Sequence, residues 1–205
     1  MLCALPSIAA ADWYVMPFYG WDFTGTTTFV DFEYGRRSRT KPTFGASVVL
    51  MGDVLGIEAD YAFVPRFFSN PQCGKQPPRV DECPAGDPVV TDSHVQTLTG
   101  GVILATPLSV TRESLRPYLT AGIGWMDASA DYAGPPVVGD LLSFNRNLVA
   151  LSLGGGALGM FGERTGMRFD LRRFTNIDRD PPRGTEVESA RITFWRATVS
   201  FVVRY

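Results

Sequence analysis

The residues with the most chemistry in them fall in two short runs. Glu58 and Asp60 are two apart, and Arg168, Asp170 and Arg172 follow one another at the same spacing. In an extended chain a spacing of two puts side chains on one face. Two carboxylates on one strand and two guanidinium groups flanking a carboxylate on another are suited to charge-assisted pairing. Buried charge is costly unless the signs nearly balance, and here they do. The set therefore reads as a lumen charge network of Glu58, Asp60, Arg168, Asp170 and Arg172 that fills an enclosed space. The alternative for the same residues is a gate that blocks or passes small solutes.

Other candidate chemistry is weaker. His94 is the sole histidine and follows Ser93. Adjacent strand residues point to opposite faces, so these two should not form a nucleophile and base pair. Ser69, Ser129 and Ser143 lie in or near connections, and nothing in the sequence requires them to approach His94. An enzyme is not expected. One histidine with Cys73 and Cys83 is too few ligands for a structural zinc site. Asp178-Arg179-Asp180 reads as a solvated loop, not a calcium site. Gly154-Gly155-Gly156 sits inside a strand pattern with no helix after it, so it reads as close packing or a bend and not as a phosphate cradle. No cofactor is expected. A net charge of -2 and the lack of a basic stripe give no nucleic-acid partner. Cys73 and Cys83 bracket a polar, proline-rich stretch. A disulfide across a surface loop, in an oxidising compartment, is the simplest account of the pair.

The elements that carry these residues alternate. The clearest is residues 195–205, where Trp195, Ala197, Val199, Phe201, Val203 and Tyr205 form one face and Arg196, Thr198, Ser200, Val202 and Arg204 the other. The period of two makes it a strand. The same pattern recurs at residues 13–23, 43–51, 55–63, 95–106, 115–128, 147–161 and 167–172, which makes eight strands. The connections after the first, third, fifth and seventh are long, and those after the second, fourth and sixth are short. No segment has a helical period, and none approaches the roughly 18 to 20 apolar residues of a membrane helix. The fold class that follows is all-β, an eight-stranded antiparallel up-and-down transmembrane β-barrel, whose ~10-residue alternating strands a hydropathy scan misses.

The direction of the two faces decides between a soluble and a membrane barrel. One face is almost wholly apolar, with Trp13, Trp21, Trp125, Trp195 and Tyr205 near strand ends. The other carries Asp22, Glu58, Asp60, Arg116, Arg168, Asp170, Arg172, Arg196 and Arg204 among Gly, Ser and Thr. The tryptophans would crowd the narrow interior of eight strands. Facing lipid, they match the aromatic girdles of membrane barrels. The small residues of the second face then leave room inside for paired charges. Residues 1–11 end in small residues before Asp12 and read as the remnant of a signal peptide, with Cys3 inside it. Residues 12–205 form the barrel domain.

The ordered set Asp12-Trp13-Tyr14-Val15, Leu55-Gly56-Ile57-Glu58-Ala59-Asp60-Tyr61, Leu115-Arg116-Pro117-Tyr118-Leu119-Thr120-Ala121-Gly122-Ile123-Gly124, Gly166-Met167-Arg168-Phe169-Asp170-Leu171-Arg172 and the terminal strand resembles the outer-membrane β-barrel domain family. Within it, the set is similar to the small eight-stranded barrels of outer-membrane proteins A and X. The resemblance implies a Gram-negative outer membrane, with contacts to outer-membrane lipid and lipopolysaccharide. It also implies that Phe201, Val203 and Tyr205 act as an assembly signal for the outer-membrane insertion machinery, with tyrosine in place of the usual terminal phenylalanine. It implies no single activity. The expected role is structural or surface-interactive, with a surface partner held by the long outer loops. A narrow, porin-like solute channel is the alternative, and a lipid A-modifying enzyme the third reading.

Overall fold

The computed structural model describes residues 11–27, 40–67, 89–111, 115–133, 144–177 and 192–205. The strands are β1 (Asp12–Thr27), β2 (Lys41–Met51), β3 (Leu55–Pro65), β4 (Val89–Ala105), β5 (Arg116–Ala133), β6 (Phe144–Met160), β7 (Thr165–Asn176) and β8 (Ile192–Arg204). They close in chain order into one barrel, each antiparallel to its neighbours. A single helical turn, α1 (Leu108–Thr111), sits in the β4–β5 connection.

The closing seam joins β1 to β8. Tyr14 lies opposite Arg204 and Trp21 opposite Ala197, and the register shifts between Phe23 and Thr26. The last backbone bond of the seam is from the Tyr205 N–H to the Trp13 carbonyl, at 2.9 Å. Both ends of the barrel domain therefore lie at the end that carries the short turns. The connections after β1, β3, β5 and β7 leave from the other, loop, end.

Most strands run further toward the loop end than the alternation of apolar residues indicates. β4 begins at Val89, not Val95, and β5 continues to Ala133. The reason is visible on the outer face. Beyond the apolar band the outward residues become polar, as at His94, Gln96, Asp127 and Ser129, while the backbone ladder goes on pairing. β3 ends in a reversal at Arg66, which has a φ of 53° and donates its N–H to the Ser93 carbonyl at 2.6 Å. The reversal brings Phe67 against Phe194, ring centroids 5.4 Å apart.

The two faces are inverted relative to a soluble barrel. Leu119 is 66% and Trp125 65% exposed, whereas Asp22 and Arg168 are each 2% exposed. The outward face is an apolar belt of side chains such as Leu55, Ile57, Leu104 and Phe169. A surface of that extent is stable only where hydrocarbon or a partner covers it.

The interior is layered, which alternation alone does not reveal. At the turn end Tyr14, Met16, Val49, Met51, Ile103, Tyr118, Leu158 and Val202 pack together. At the loop end Val64, Val95, Met126, Leu148, Phe174, Ile192 and Phe194 form a second cluster, with Phe67 against it. The charged residues lie between. Bulky apolar side chains thus occupy both ends of a lumen expected to be mainly small and polar. Inward glycines allow a close approach of the neighbouring backbone and of the large side chains. A Cβ on Gly154 would lie 2.2 Å from the Leu171 carbonyl oxygen and 2.9 Å from the Arg172 Cγ, and one on Gly156 1.9 Å from the Phe169 carbonyl oxygen and 2.5 Å from the Tyr118 hydroxyl.

Candidate functional site

The middle layer is a belt of ion pairs that crosses the barrel. β3 and β7 lie on opposite sides of the ring, four strands apart in its order. Their inward side chains are long enough to meet. Arg168 Nη1 donates to Glu58 Oε1 at 2.7 Å, and Arg172 Nη2 donates to Glu58 Oε1 and Oε2 at 2.9 and 2.8 Å. On β7 itself, Asp170 lies between the two arginines. Arg168 Nη2 reaches its Oδ2 at 2.6 Å and Arg172 Nε its Oδ1 at 2.7 Å. One carboxylate from each strand thus holds the same two guanidinium groups, a closed four-residue ring.

Asp60 stands differently from its four companions. It is 5% exposed and lies on the inner face, but none of the ion pairs among the described residues includes it. It faces a cavity of about 10 Å³ that Ser47, Arg172 and Arg196 also line.

Two further members of the belt were not paired by sequence reasoning. Tyr118, from β5, accepts from Arg168 Nε at 2.6 Å and donates to Asp170 Oδ2 at 2.5 Å. The Arg168 guanidinium carbon also lies 4.6 Å from the centre of its ring. Its position among the inner residues of β5 was legible, but its role was not, because its apolar ring also belongs to the turn-end cluster. The second is the Asp22–Arg196 pair. Arg196 Nε and Nη2 donate to Asp22 Oδ1 and Oδ2 at 2.8 and 3.1 Å across the β1–β8 seam. Register places these two opposite each other. The signal was therefore present once the first and last strands were taken as neighbours. Arg196 also gives Nη1 to Thr97 at 3.0 Å and lies 4.4 Å over the Phe174 ring. It thereby couples the belt to the loop-end cluster.

Arg116 works at the turn end, away from the belt. Its Nε donates to the Thr106 carbonyl at 2.8 Å, and its Nη2 donates to the carbonyls of Gly52 and Asp53. Asp53 in turn accepts the Leu108 N–H at 3.0 Å. These contacts tie the β2–β3 turn to α1 and the start of β5. Arg204 pairs with Asp12 at 2.8 Å beside the seam, both about one-third exposed.

The remaining sequence candidates fall elsewhere. Phe201 and Tyr205 are 52% and 78% exposed on the outer face, and Val203 shares that face, half-buried. Ser93 is buried inward, and His94 points outward, 3.8 Å from Asp127. Ser129 is the cross-strand neighbour of His94, but no hydrogen bond joins them among the described residues. Ser69, Ser143, Cys73, Cys83 and Asp178-Arg179-Asp180 lie outside the described residues, as do residues 1–10. No cluster of three metal-ligating side chains occurs among the described residues.

No family model matches the chain, and no curated protein matches it. Solved structures do. Neisserial surface protein A aligns over 94% of this chain and 97% of its own, with a TM-score of 0.58 and 14% identity. The N-terminal β-barrel domain of OprF from Pseudomonas aeruginosa aligns over 94% and 97%, with a TM-score of 0.54 and 12% identity. This is the fold of the small eight-stranded outer-membrane barrels. A third such barrel, Ail, the attachment invasion locus protein of Yersinia pestis, solved with the heparin analogue sucrose octasulfate, covers 94% of this chain and 98% of its own, with a TM-score of 0.51 and 12% identity. At such low identity the shared property is the barrel itself.

Proposed function

We propose that the chain is an outer-membrane barrel with a plugged lumen, and that its role is structural or surface-interactive. The observation that carries this reading is the inversion of its faces: apolar side chains outward around the ring, and a belt of ion pairs held between two apolar layers inside. A cavity of about 10 Å³ within the belt has room for about one water molecule, which is far from a solute path. The fold neighbours include a protein named for the cell surface and one solved with a sulfated ligand, which supports surface contact through the long connections at the loop end. In this reading outer-membrane lipid and lipopolysaccharide cover the apolar band. Phe201, Val203 and Tyr205 present the terminal strand to the insertion machinery.

Planar-bilayer recording separates this reading from a narrow channel. A plugged barrel gives no steady stepwise conductance after reconstitution. Reproducible unitary steps would overturn the plug and favour the channel. Lipid A from cells expressing the chain is expected to keep its mass, and a defined loss or gain of an acyl chain would move the reading to an enzyme.

A further inference from the structure

Arg173 on β7 breaks the pattern of the outward face. It is exposed at an outward position, and its cross-strand neighbours are Leu153 on β6 and Trp195 on β8. Arg116, Arg168, Arg172, Arg196 and Arg204 each hold a carboxylate or a carbonyl. No ion pair among the described residues includes Arg173. No carboxylate stands at a described outward position of β6, β7 or β8. The outward Asp127 lies on β5, 3.8 Å from His94.

The register fixes the depth of this charge. Two residues toward the turns, Leu171 and Ala197 are partners on the apolar face. Two residues toward the loops, Thr175 and Thr193 share a hydroxyl hydrogen bond at 3.0 Å. Arg173 and Trp195 therefore mark the loop-side edge of the apolar band, where tryptophan meets lipid headgroups. A long arginine keeps its stem on hydrocarbon and sends its guanidinium to that boundary.

We infer that Arg173 is the anchor of a lipid site on the outer face of β6, β7 and β8, and that its ligand is the headgroup phosphate of a lipid in the loop-side leaflet. The inference rests on the outer-membrane reading and adds a particular headgroup contact to it. Charge selects the ligand: a guanidinium with no carboxylate around it calls for an anion and repels a metal cation. The planar fork of arginine matches two phosphate oxygens at once. Leu153 and Leu171, exposed beside it, offer the lipid's chains an apolar track toward the turns.

The test is native mass spectrometry of the full chain folded in detergent and titrated with phosphatidic acid, phosphatidylcholine, oleate or inorganic phosphate. Wild type is compared with Arg173→Gln and with Arg164→Gln, an exposed arginine in the β6–β7 turn. Each protein is first shown to keep its heat-dependent gel shift, so a failure of the barrel reading shows there and a failure of the site shows in lipid binding. Phosphatidic acid is expected to bind wild type more tightly than the other three ligands. Arg173→Gln should weaken that binding about tenfold, the worth of hydrogen bonds to a charged group, and Arg164→Gln should leave it unchanged. Equal affinity in wild type and Arg173→Gln overturns the site, as does an equal loss in Arg164→Gln. Oleate or inorganic phosphate binding as tightly as phosphatidic acid overturns the lipid phosphate as its ligand.

Discussion

Arg172 on β7 reaches across the whole lumen to give one nitrogen to both oxygens of Glu58 on β3, at 2.9 and 2.8 Å. The same guanidinium grips Asp170 on its own strand. Removing it leaves two buried carboxylates short of a partner. Breaking a buried pair from one side costs about 3–5 kcal/mol. Arg172→Ala is expected to lower the unfolding free energy by that order, and Arg168→Ala/Arg172→Ala to lower it further. Equilibrium unfolding in detergent micelles measures both, and unchanged stability in the double variant would remove the cross-lumen pairing.

The seam rests on a second arginine. Arg196 makes a two-nitrogen contact with Asp22, and its guanidinium carbon lies 4.4 Å from the centre of the Phe174 ring. Lysine supplies the charge but not the planar fork. Arg196→Lys is expected to cost about 1.5–3 kcal/mol, the worth of hydrogen bonds to a charged group. Unfolding midpoints that match wild type would mean that charge alone suffices there.

The outward face makes its own demand. Ala121 is exposed among apolar neighbours, whereas Asp127, three outward positions along β5, lies at the polar end of the band. In lipid vesicles, Ala121→Arg is expected to destabilise by about 2–4 kcal/mol and Asp127→Arg by about 0–1 kcal/mol, the depth dependence of arginine on a lipid-facing strand. Equal costs at the two positions would mean that no hydrocarbon covers Ala121.

Gly156 faces the lumen beside Tyr118, where an added Cβ would lie 2.5 Å from the hydroxyl that bridges Arg168 and Asp170. Gly162, in the β6–β7 turn, has open space within 4 Å of where a Cβ would lie. Gly156→Val is expected to lower the unfolding free energy by about 1–3 kcal/mol through overpacking, while Gly162→Ala leaves it within about 0.5 kcal/mol. Thermal or urea unfolding of the two variants side by side checks the difference.

Much of this barrel was legible because period two is a strong signal when one face must be apolar. Trp195 to Tyr205 shows it without interruption, and strand count with loop length then gives the topology. Glu58, Arg168, Asp170 and Arg172 could be placed in one lumen because β3 and β7 must be opposite in a ring of eight. Height along the axis was not legible. Tyr14, Met16, Phe174 and Phe194 alternate like the charged residues, so nothing local separates the apolar layers from the belt. Nor was it visible that Asp60 would miss the arginines its neighbour Glu58 holds, since that depends on side-chain reach and not on spacing. The strands run past their alternating apolar stretches at the loop side because outward polarity changes at the edge of the band, while backbone pairing does not.

The most direct measurement is gel migration of the protein extracted in detergent from the membrane fraction, loaded with and without boiling. A closed barrel with its apolar face on lipid is expected in that fraction, with a folded band that shifts on boiling. A soluble protein that migrates at one position under both conditions would contradict the inverted barrel.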